Sequence, residues 1–113
     1  MERFQLTDQA NTQIGTPGIK KTLSGGERKR LSLGTEILSD PQILFCDEPT
    51  TGLDSNMAYK VMVILRNLTE SGITVICTIH QPSSKIVALF SQIMLMTNGE
   101  IAFVGSNKGK SYF

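Results

Sequence analysis

The sequence predicts an α/β fold, with a parallel sheet flanked by helices and a β-hairpin towards the C-terminus. Helix-like and strand-like patterns alternate from residue 24 onwards, which is typical of parallel sheets. Residues 42–46 and 73–79 are short apolar runs with the length and composition of buried strands. Asn98-Gly99, between two further runs, is the strongest local signal for a tight hairpin. The 113 residues, 40% of them apolar, suit one globular domain or a piece of a larger one.

The first helix is predicted to begin after Ser24 and to stop at Asp40-Pro41. Ser24 and Glu27 have the spacing of a capping box. Its inward-facing residues are predicted from their helical spacing: Leu31, Gly34, Ile37 and Leu38. We interpret the basic triplet at 28–30 as a solvated face of this helix. Residues 1–22 are weakly patterned, with a turn at 15–18.

The first strand, 42–46, leads through a polar turn at 48–52 into a second helix. Asp54 or Ser55 can cap this helix, and Gly72 stands where a left-handed C-terminal cap is expected. The apolar stripe of the helix is Met57, Val61, Ile64, Leu65 and Leu68.

The second strand, 73–79, ends at His80. Residues 82–84 then begin a short helix with three inward residues, Ile86, Leu89 and Phe90. Residues 92–97 and 101–104 form the arms of the hairpin. Cys46 and Cys77 each lie inside an apolar run, so we expect buried free thiols that behave as small hydrophobes.

The composition excludes several classes of protein. Eleven basic residues against ten acidic ones give a net charge of +1, too little to attract nucleic acid or an anionic membrane surface. No apolar run approaches the roughly 18 residues of a membrane span. The opening residues MERFQLTDQ lack the apolar segment of a secretory signal. We therefore expect a chain that stays in a reducing compartment and does not itself cross a bilayer.

Polar residues follow both predicted parallel strands, at the edge where such sheets bind their ligands. Asp47-Glu48 follows the first strand and His80 the second. Asp47 is a candidate ligand for Mg²⁺, and Glu48 a candidate base that orients a water molecule. An acidic pair after a strand more often only begins a loop, and a lone histidine is more often structural. The polar loop at 50–55 and the shared edge favour a nucleotide site.

The stretch at 22–30, TLSGGERKR, places a hydroxyl and two glycines at the start of a helix, an arrangement that binds oxyanions. The chain contains no Gly-x-x-x-x-Gly-Lys-Ser/Thr loop. Residues 105–111, GSNKGKS, are similar to such a phosphate-binding loop. However, only three residues separate the two glycines, and the loop requires four. We interpret that segment as a surface turn.

Four segments, in order, resemble the motifs of ATP-binding-cassette (ABC) ATPases. Residues 23–27 (LSGGE) are similar to the signature motif, 43–48 (ILFCDE) to the Walker B strand and 52–54 (GLD) to the D-loop; His80 is similar to the switch histidine. Three longer stretches, SGGERKRLSLGTEILSDP, DEPTTGLDS and TIHQPSS, resemble the G subfamily of half-transporters, the eye-pigment and sterol group. The similarity extends from about Phe4 to Phe113.

The resemblance implies a sheet of the P-loop NTPase type and an ATPase that powers transmembrane transport. It divides residues 1–113 into part of the helical subdomain with the signature (1–40) and the Walker B, D-loop, H-loop and hairpin region (41–113). By this resemblance Asp47 assists Mg²⁺ binding, Glu48 polarises the attacking water and His80 contacts the γ-phosphate of ATP. Asp54 communicates with an opposing domain.

In the same resemblance, Ser24, Gly25 and Gly26 offer a hydroxyl and backbone amides to an ATP held mainly by a second nucleotide-binding domain. Leu23 and Glu27 complete this signature. The implied partners are that second domain and a transmembrane domain, which would hold the chain at the cytoplasmic face of a membrane.

Walker A, the adenine-stacking aromatic residue and the Q-loop glutamine of the family have no counterpart here, so the resemblance implies an incomplete domain, its C-terminal portion. We expect these residues alone to be inactive.

An alternative is a non-hydrolysing truncated module that docks on an intact domain and supplies only the signature motif. A chromosome-maintenance ATPase would share several motifs, but it should also show heptad repeats before the signature, and none is present.

Overall fold

Two parallel strands packed against a long helix form the centre of the first part of the structure. The computed structural model describes residues 4–15 and 22–107, and it divides into two units, Met1–His80 and Gln81–Phe113. The first unit contains a 3₁₀ turn (Thr7–Gln9), α1 (Gly25–Ile37), β1 (Ile43–Asp47), α2 (Ser55–Glu70) and β2 (Thr74–Thr78). The second contains α3 (Ser84–Val87), β3 (Gln92–Thr97) and β4 (Glu100–Ser106).

The sheet of the first unit confirms the predicted parallel arrangement. β1 and β2 pair in parallel from Ile43 opposite Thr74 to Asp47 opposite Thr78. α2 packs on one face of this sheet and contributes most of the core. The buried apolar residues of this unit are Leu6, Leu23, Leu33, Leu44, Cys46, Ala58, Val61, Met62, Ile64, Leu65 and Leu68.

The prediction that β1 is a buried strand holds for only one of its two faces. Leu44 and Cys46 are buried, but Ile43 and Phe45 between them remain 52% and 75% exposed, and Ile76 on β2 is 51% exposed. Successive residues of a strand point to opposite faces. Because α2 covers only one face, every second apolar residue lies on a surface that the described part of this unit leaves open.

α1 begins as predicted but buries a different face. Of the predicted inward residues, three are half-buried and Leu38 is 85% exposed. The buried residues of the helix are Gly26, Arg30 and Leu33. These three lie four and three residues apart, on one side of a 3.6-residue helix. The interpretation of 28–30 as a solvated face is therefore wrong for Arg30, which is 5% exposed. Among the described residues, its Nε and Nη1 atoms are buried and have no hydrogen-bond partner.

α2 agrees closely with its sequence signals. Asp54 is its N-cap, and the predicted apolar stripe is buried except at Met57, which is half-buried. At its end the N–H of Gly72 donates to the carbonyl of Thr69, and the N–H of Ile73 donates to that of Leu68. With Gly72 at φ 96°, this is the Schellman motif, which needs a residue that tolerates positive φ.

In the second unit, the hairpin forms where Asn98-Gly99 predicts it. Both turn residues have positive φ, 50° and 78°, as a type I′ turn requires. Asn107 bonds from its side-chain amide to the carbonyls of Val87 (2.7 Å) and Phe90 (3.1 Å), which ties the end of the hairpin to the short helix α3. Of the three inward residues predicted for that helix, Ile86 is buried and the other two are half-buried.

The turns predicted at 105–111 and 15–18 are only partly within the described residues, and the first is partly wrong. Gly105 and Ser106 belong to β4, so the interpretation of 105–111 as a surface turn is wrong for its first two residues. The hairpin is longer than its apolar run suggested, because pairing continues to Ser106 opposite Gln92. The remainder of that segment, from residue 108, and residues 16–18 of the other turn lie outside the described residues. Within the described ranges, no helix is long and apolar enough to cross a membrane.

Candidate nucleotide and metal site

The carboxyl edge of the parallel sheet gathers the predicted catalytic residues. Asp47 is the last residue of β1 and lies opposite Thr78, the last residue of β2. Glu48 follows the first strand directly, and His80 stands two residues after the second. All four of these residues are exposed. The arrangement leaves Asp47, Glu48 and His80 accessible at the edge where parallel sheets bind ligands.

One hydroxyl connects the two acidic residues. The Oγ1 atom of Thr78 donates to Oδ1 of Asp47 at 2.5 Å and accepts from the backbone N–H of Glu48 at 3.0 Å. Sequence reasoning missed Thr78. The available signal was a hydroxyl two residues before His80 in a mostly apolar run, but only the strand register shows what it contacts.

Glu48 has an unusual backbone conformation. Its φ is 43°, in the left-handed region that non-glycine residues seldom adopt. Its carboxylate Oε2 accepts from the hydroxyl of Thr51 at 2.8 Å, and its carbonyl accepts from the N–H of the same residue at 3.2 Å. Such conformations persist where surrounding bonds fix them, and they cluster at functional sites.

Asp54 closes the polar loop that follows. Its Oδ1 accepts from the backbone N–H groups of Asn56 (2.9 Å) and Met57 (3.0 Å), so this side chain caps α2. The loop turns tightly before it, with Gly52 at φ 77° and the N–H of Leu53 donating to the carbonyl of Thr50. The structure therefore gives Asp54 a local structural role at the start of α2.

The predicted capping box at the start of α1 is confirmed. The Glu27 N–H donates to Ser24 Oγ at 3.3 Å, and the Ser24 N–H donates to Glu27 Oε2 at 2.7 Å. Leu23 is buried beside this cap, whereas Ser24 and Gly25 are exposed. The first N–H groups of a helix have no acceptor within it and carry partial positive charge. This end of α1 can therefore receive an anion at Ser24 and Gly25.

The signature glycines also contact the start of α2. A Cβ atom placed on Gly25 would lie 3.7 Å from Cδ2 of Leu53. The position of a Cβ on Gly26 is already occupied by the terminal methyl of Met57. A side chain at Gly26 would therefore require the flexible end of Met57 to move. Sequence reasoning assigned this glycine only to phosphate approach.

Hydrogen bonds and contacts link the predicted site residues in two groups. Asp47 and Glu48 are joined through Thr78, and residues 24–26 adjoin the α2 end that Asp54 caps. His80 is exposed at the same sheet edge and belongs to neither group.

The donor set at the sheet edge fits Mg²⁺. This ion usually binds through one or two carboxylates and completes its coordination with water and nucleotide phosphates. Asp47 offers one exposed carboxylate of this kind. Within residues 4–15 and 22–107, no group of three or more His, Cys, Asp or Glu side chains could hold a metal ion.

The two cysteines face each other across the sheet, with Cys46 in register with Cys77. Both are free thiols, as predicted; Cys46 is buried and Cys77 half-buried. Burial, with a smaller contribution from Cys46, raises the pKa of Cys77 to about 11. Burial also raises the pKa of Cys46, partly offset by Lys29. Both side chains therefore stay neutral near pH 7 and pack as small apolar groups.

Known proteins have sequences similar to this chain. A family model described as ABC transporter matches residues 1–51. The "Protein white" of Ceratitis capitata is 57% identical over 85% of this chain and 14% of its own length. The "ABC transporter G family member 7" of Dictyostelium discoideum is 50% identical over 90% of this chain and 13% of its own.

The chain belongs to the ABC transporter family. Within it, the White and G-family proteins are the relatives that it resembles at this level of identity. The chain corresponds to only about one seventh of the length of these two relatives.

Solved structures agree on the ABC fold. An ATP-binding cassette of an ABC transporter superposes with a TM-score of 0.79 at 24% identity, over 93% of this chain and 39% of the other. A dimeric cassette in a post-hydrolysis state, bound to ADP and Pi, gives 0.66 at 24% identity, over 96% of this chain and 46% of the other. These likenesses establish the α/β cassette fold predicted from the sequence.

Proposed function

We propose that this ABC-family chain carries part of the ATP-hydrolysing site of a G-type half-transporter, in which hydrolysis powers transport across a membrane. One observation carries the proposal. Asp47-Glu48 and His80 follow two neighbouring, hydrogen-bonded parallel strands at the same sheet edge. In α/β sheets this edge is where ligands bind, and here it presents an acid pair and an imidazole together.

The roles at this edge follow from chemistry and position. Asp47 would hold Mg²⁺, which neutralises charge on the phosphates when it is bound. Glu48, the next residue, would orient the attacking water and accept its proton. His80 would contact the γ-phosphate, to which a ring nitrogen can donate. The exposure of all three side chains supports these assignments, because each can reach a ligand without rearrangement of the core.

The signature residues would serve a different nucleotide. The Ser24 Oγ accepts a bond from Glu27, but its proton remains available to donate to a phosphate oxygen. The N–H groups of Gly25 and Gly26 lie in the first turn of α1, where the helix dipole favours anions. Leu23 would anchor the motif in the core and Glu27 would hold its cap. We propose that this face meets an ATP bound by a second nucleotide-binding domain.

Two further proteins or domains are implied. A dimeric cassette bound to ADP and Pi is among the structural neighbours, which supports a second nucleotide-binding domain as partner. We propose that Asp54 communicates with that domain, since the helix it caps also contacts the signature glycines. A transmembrane domain would hold the assembly at the cytoplasmic face of a membrane.

The proposal is tested in the full gene product that contains these residues, reconstituted in lipid. Glu48→Gln should lower ATP turnover at least about 100-fold, the lower range of general-base contributions, while ATP binding is retained. Glu36→Gln is the matched control, because Glu36 is an exposed α1 residue away from the sheet edge. Unchanged turnover in Glu48→Gln would overturn the proposal.

The same measurements separate the alternative, a module that supplies only its signature motif to an intact partner. That alternative predicts that turnover of the complex depends on Ser24 but not on Glu48 of this chain. Our proposal predicts dependence on both. A Ser24→Arg variant, which puts a bulky side chain at the exposed cap, provides the comparison.

A further inference from the structure

We propose that Thr78 is a positioning residue of the hydrolytic site, whose hydroxyl orients the Asp47 carboxylate and the Glu48 backbone at the same time. The inference rests on the proposed function of those two acidic residues. Thr78 is the first residue of the stretch TIHQPSS but lies outside the four ABC motifs, which assign it no role.

The direction of the two hydrogen bonds carries the first step. A threonine hydroxyl has one proton and two acceptor lone pairs. Its proton goes to Asp47 Oδ1 at 2.5 Å, and an accepting lone pair receives the Glu48 N–H at 3.0 Å. One oxygen atom therefore fixes a side chain and the neighbouring backbone, across two strands that lie 31 residues apart in sequence.

The consequence for Asp47 concerns the metal. The bond to Thr78 engages Oδ1 and restricts rotation of the carboxylate, so that Oδ2 is presented in a defined direction. Residues that orient a metal ligand in this way commonly change metal affinity 10- to 100-fold when they are removed, as an order of magnitude. Loss of the Thr78 hydroxyl should therefore weaken Mg²⁺ binding and raise the Mg²⁺ concentration that half-saturates the site.

The consequence for Glu48 concerns its backbone. A left-handed φ of 43° at a glutamate is held only where surrounding bonds determine it. The Thr78 oxygen fixes the N–H of Glu48, while Thr51 fixes its carboxylate at 2.8 Å. Without the Thr78 hydroxyl, the Glu48 N–H would lose its acceptor. The Glu48 carboxylate could then move away from the position in which it orients the water.

Folding alone does not explain a hydroxyl at this position. Thr78 is exposed, so its side chain contributes little to the core, and valine has a similar shape and an equal preference for strands. Thr74 lies on the same face of β2 and is also exposed, but it faces Ile43 rather than an acidic residue. Thr74→Val is therefore a matched control for Thr78→Val.

The hydrogen bond itself is tested by amide exchange in the full gene product, without nucleotide. Thr78→Val should speed exchange of the Glu48 amide about fivefold or more, the equivalent of one net hydrogen bond. Thr78→Ser, which keeps the hydroxyl, and Thr74→Val should leave that exchange unchanged. Thr78→Ala replaces the valine variant if the latter does not fold.

The functional role is tested by ATP turnover as Mg²⁺ is titrated. We expect the half-saturating Mg²⁺ concentration to rise about tenfold or more in Thr78→Val, to return towards normal in Thr78→Ser and to stay normal in Thr74→Val. A purely structural defect would lower the amount of active protein without moving this concentration.

Two acidic variants distinguish failure of this inference from failure of the proposed function. If Asp47→Asn and Glu48→Gln leave turnover intact, the proposed function is wrong and the inference falls with it. If both abolish turnover while Thr78→Val behaves like Thr74→Val in Mg²⁺ dependence and Glu48 exchange, the inference alone is overturned.

Discussion

The terminal methyl of Met57 occupies the space in which a side chain on Gly26 would begin. Gly26 lies in the first turn of α1, and Met57 in the first turn of α2. The contact joins the signature motif to the helix that Asp54 caps. It gives Gly26 a packing role that is separate from any contact with phosphate.

Gly26→Ala should gain less stability than helix propensity alone predicts, although alanine favours helices more than glycine by about 1 kcal/mol. The added methyl must displace the flexible end of the Met57 side chain, which offsets part of that gain. Gly34→Ala in the same helix is the control, since its Cβ would meet Phe4 at an ordinary 3.5 Å. Urea unfolding should show a lower midpoint for Gly26→Ala than for Gly34→Ala. A double-mutant cycle with Met57→Ala should remove part of this difference, and independent effects would contradict the packing role.

Substitution by threonine should destabilise the protein much more at Leu44 than at Phe45. Leu44 is 6% exposed on the α2 side of β1, whereas Phe45 is 75% exposed on the other side. Leu44→Thr should lower the free energy of unfolding by about 2–4 kcal/mol, and Phe45→Thr by less than about 0.5 kcal/mol. Thermal or urea unfolding of the two variants measures this difference. Equal losses would mean that the open face of the sheet is covered.

The exposed face of the β1–β2 sheet should make the isolated 113 residues prone to self-association. Exposed apolar residues on an open two-stranded sheet favour association and leave little core for stability. We expect a marginally stable chain that self-associates with rising concentration, and Phe45→Thr should reduce that association. Light scattering at several concentrations tests this, and a sharp, cooperative unfolding transition of a monomer would contradict it.

Stability should fall at alkaline pH through Cys77. Burial raises the pKa of this thiol from its ordinary 9.0 to about 11, so the folded state retains a proton that the unfolded chain loses first. The resulting stabilisation is fully present below pH 9 and disappears as pH rises towards about 11. Urea unfolding across this range should show a steeper decline for the natural chain than for Cys77→Ala. Parallel pH profiles would exclude this contribution.

The 113 residues alone should not hydrolyse ATP. They contain no Gly-x-x-x-x-Gly-Lys-Ser/Thr loop, which supplies most of the contacts that hold phosphates in such ATPases. Phosphate release by the purified chain with Mg²⁺ should therefore equal the buffer background. Turnover that requires Mg²⁺ and disappears in Glu48→Gln would refute this prediction.

Much of the local structure could be predicted from the sequence because each feature depends on a few neighbouring residues. The capping box of Ser24 and Glu27, the left-handed turn at Gly72 and the hairpin at Asn98-Gly99 all form where they were predicted. Each is decided by hydrogen bonds or backbone sterics within about six residues. The position of Asp47-Glu48 after a strand is likewise a local consequence of an apolar run that ends in acidic residues.

Tertiary structure decided which faces are covered and which distant residues meet. Periodicity could not show that Arg30 is buried or that Phe45 is exposed, because both depend on where α2 packs. The bond between Thr78 and Asp47 depends on the register of two strands 31 residues apart. The sequence by itself determined the motifs and the local elements that carry them. Only the packing and register of those elements, which no local pattern encodes, decided that one threonine hydroxyl bonds both the Asp47 carboxylate and the Glu48 backbone.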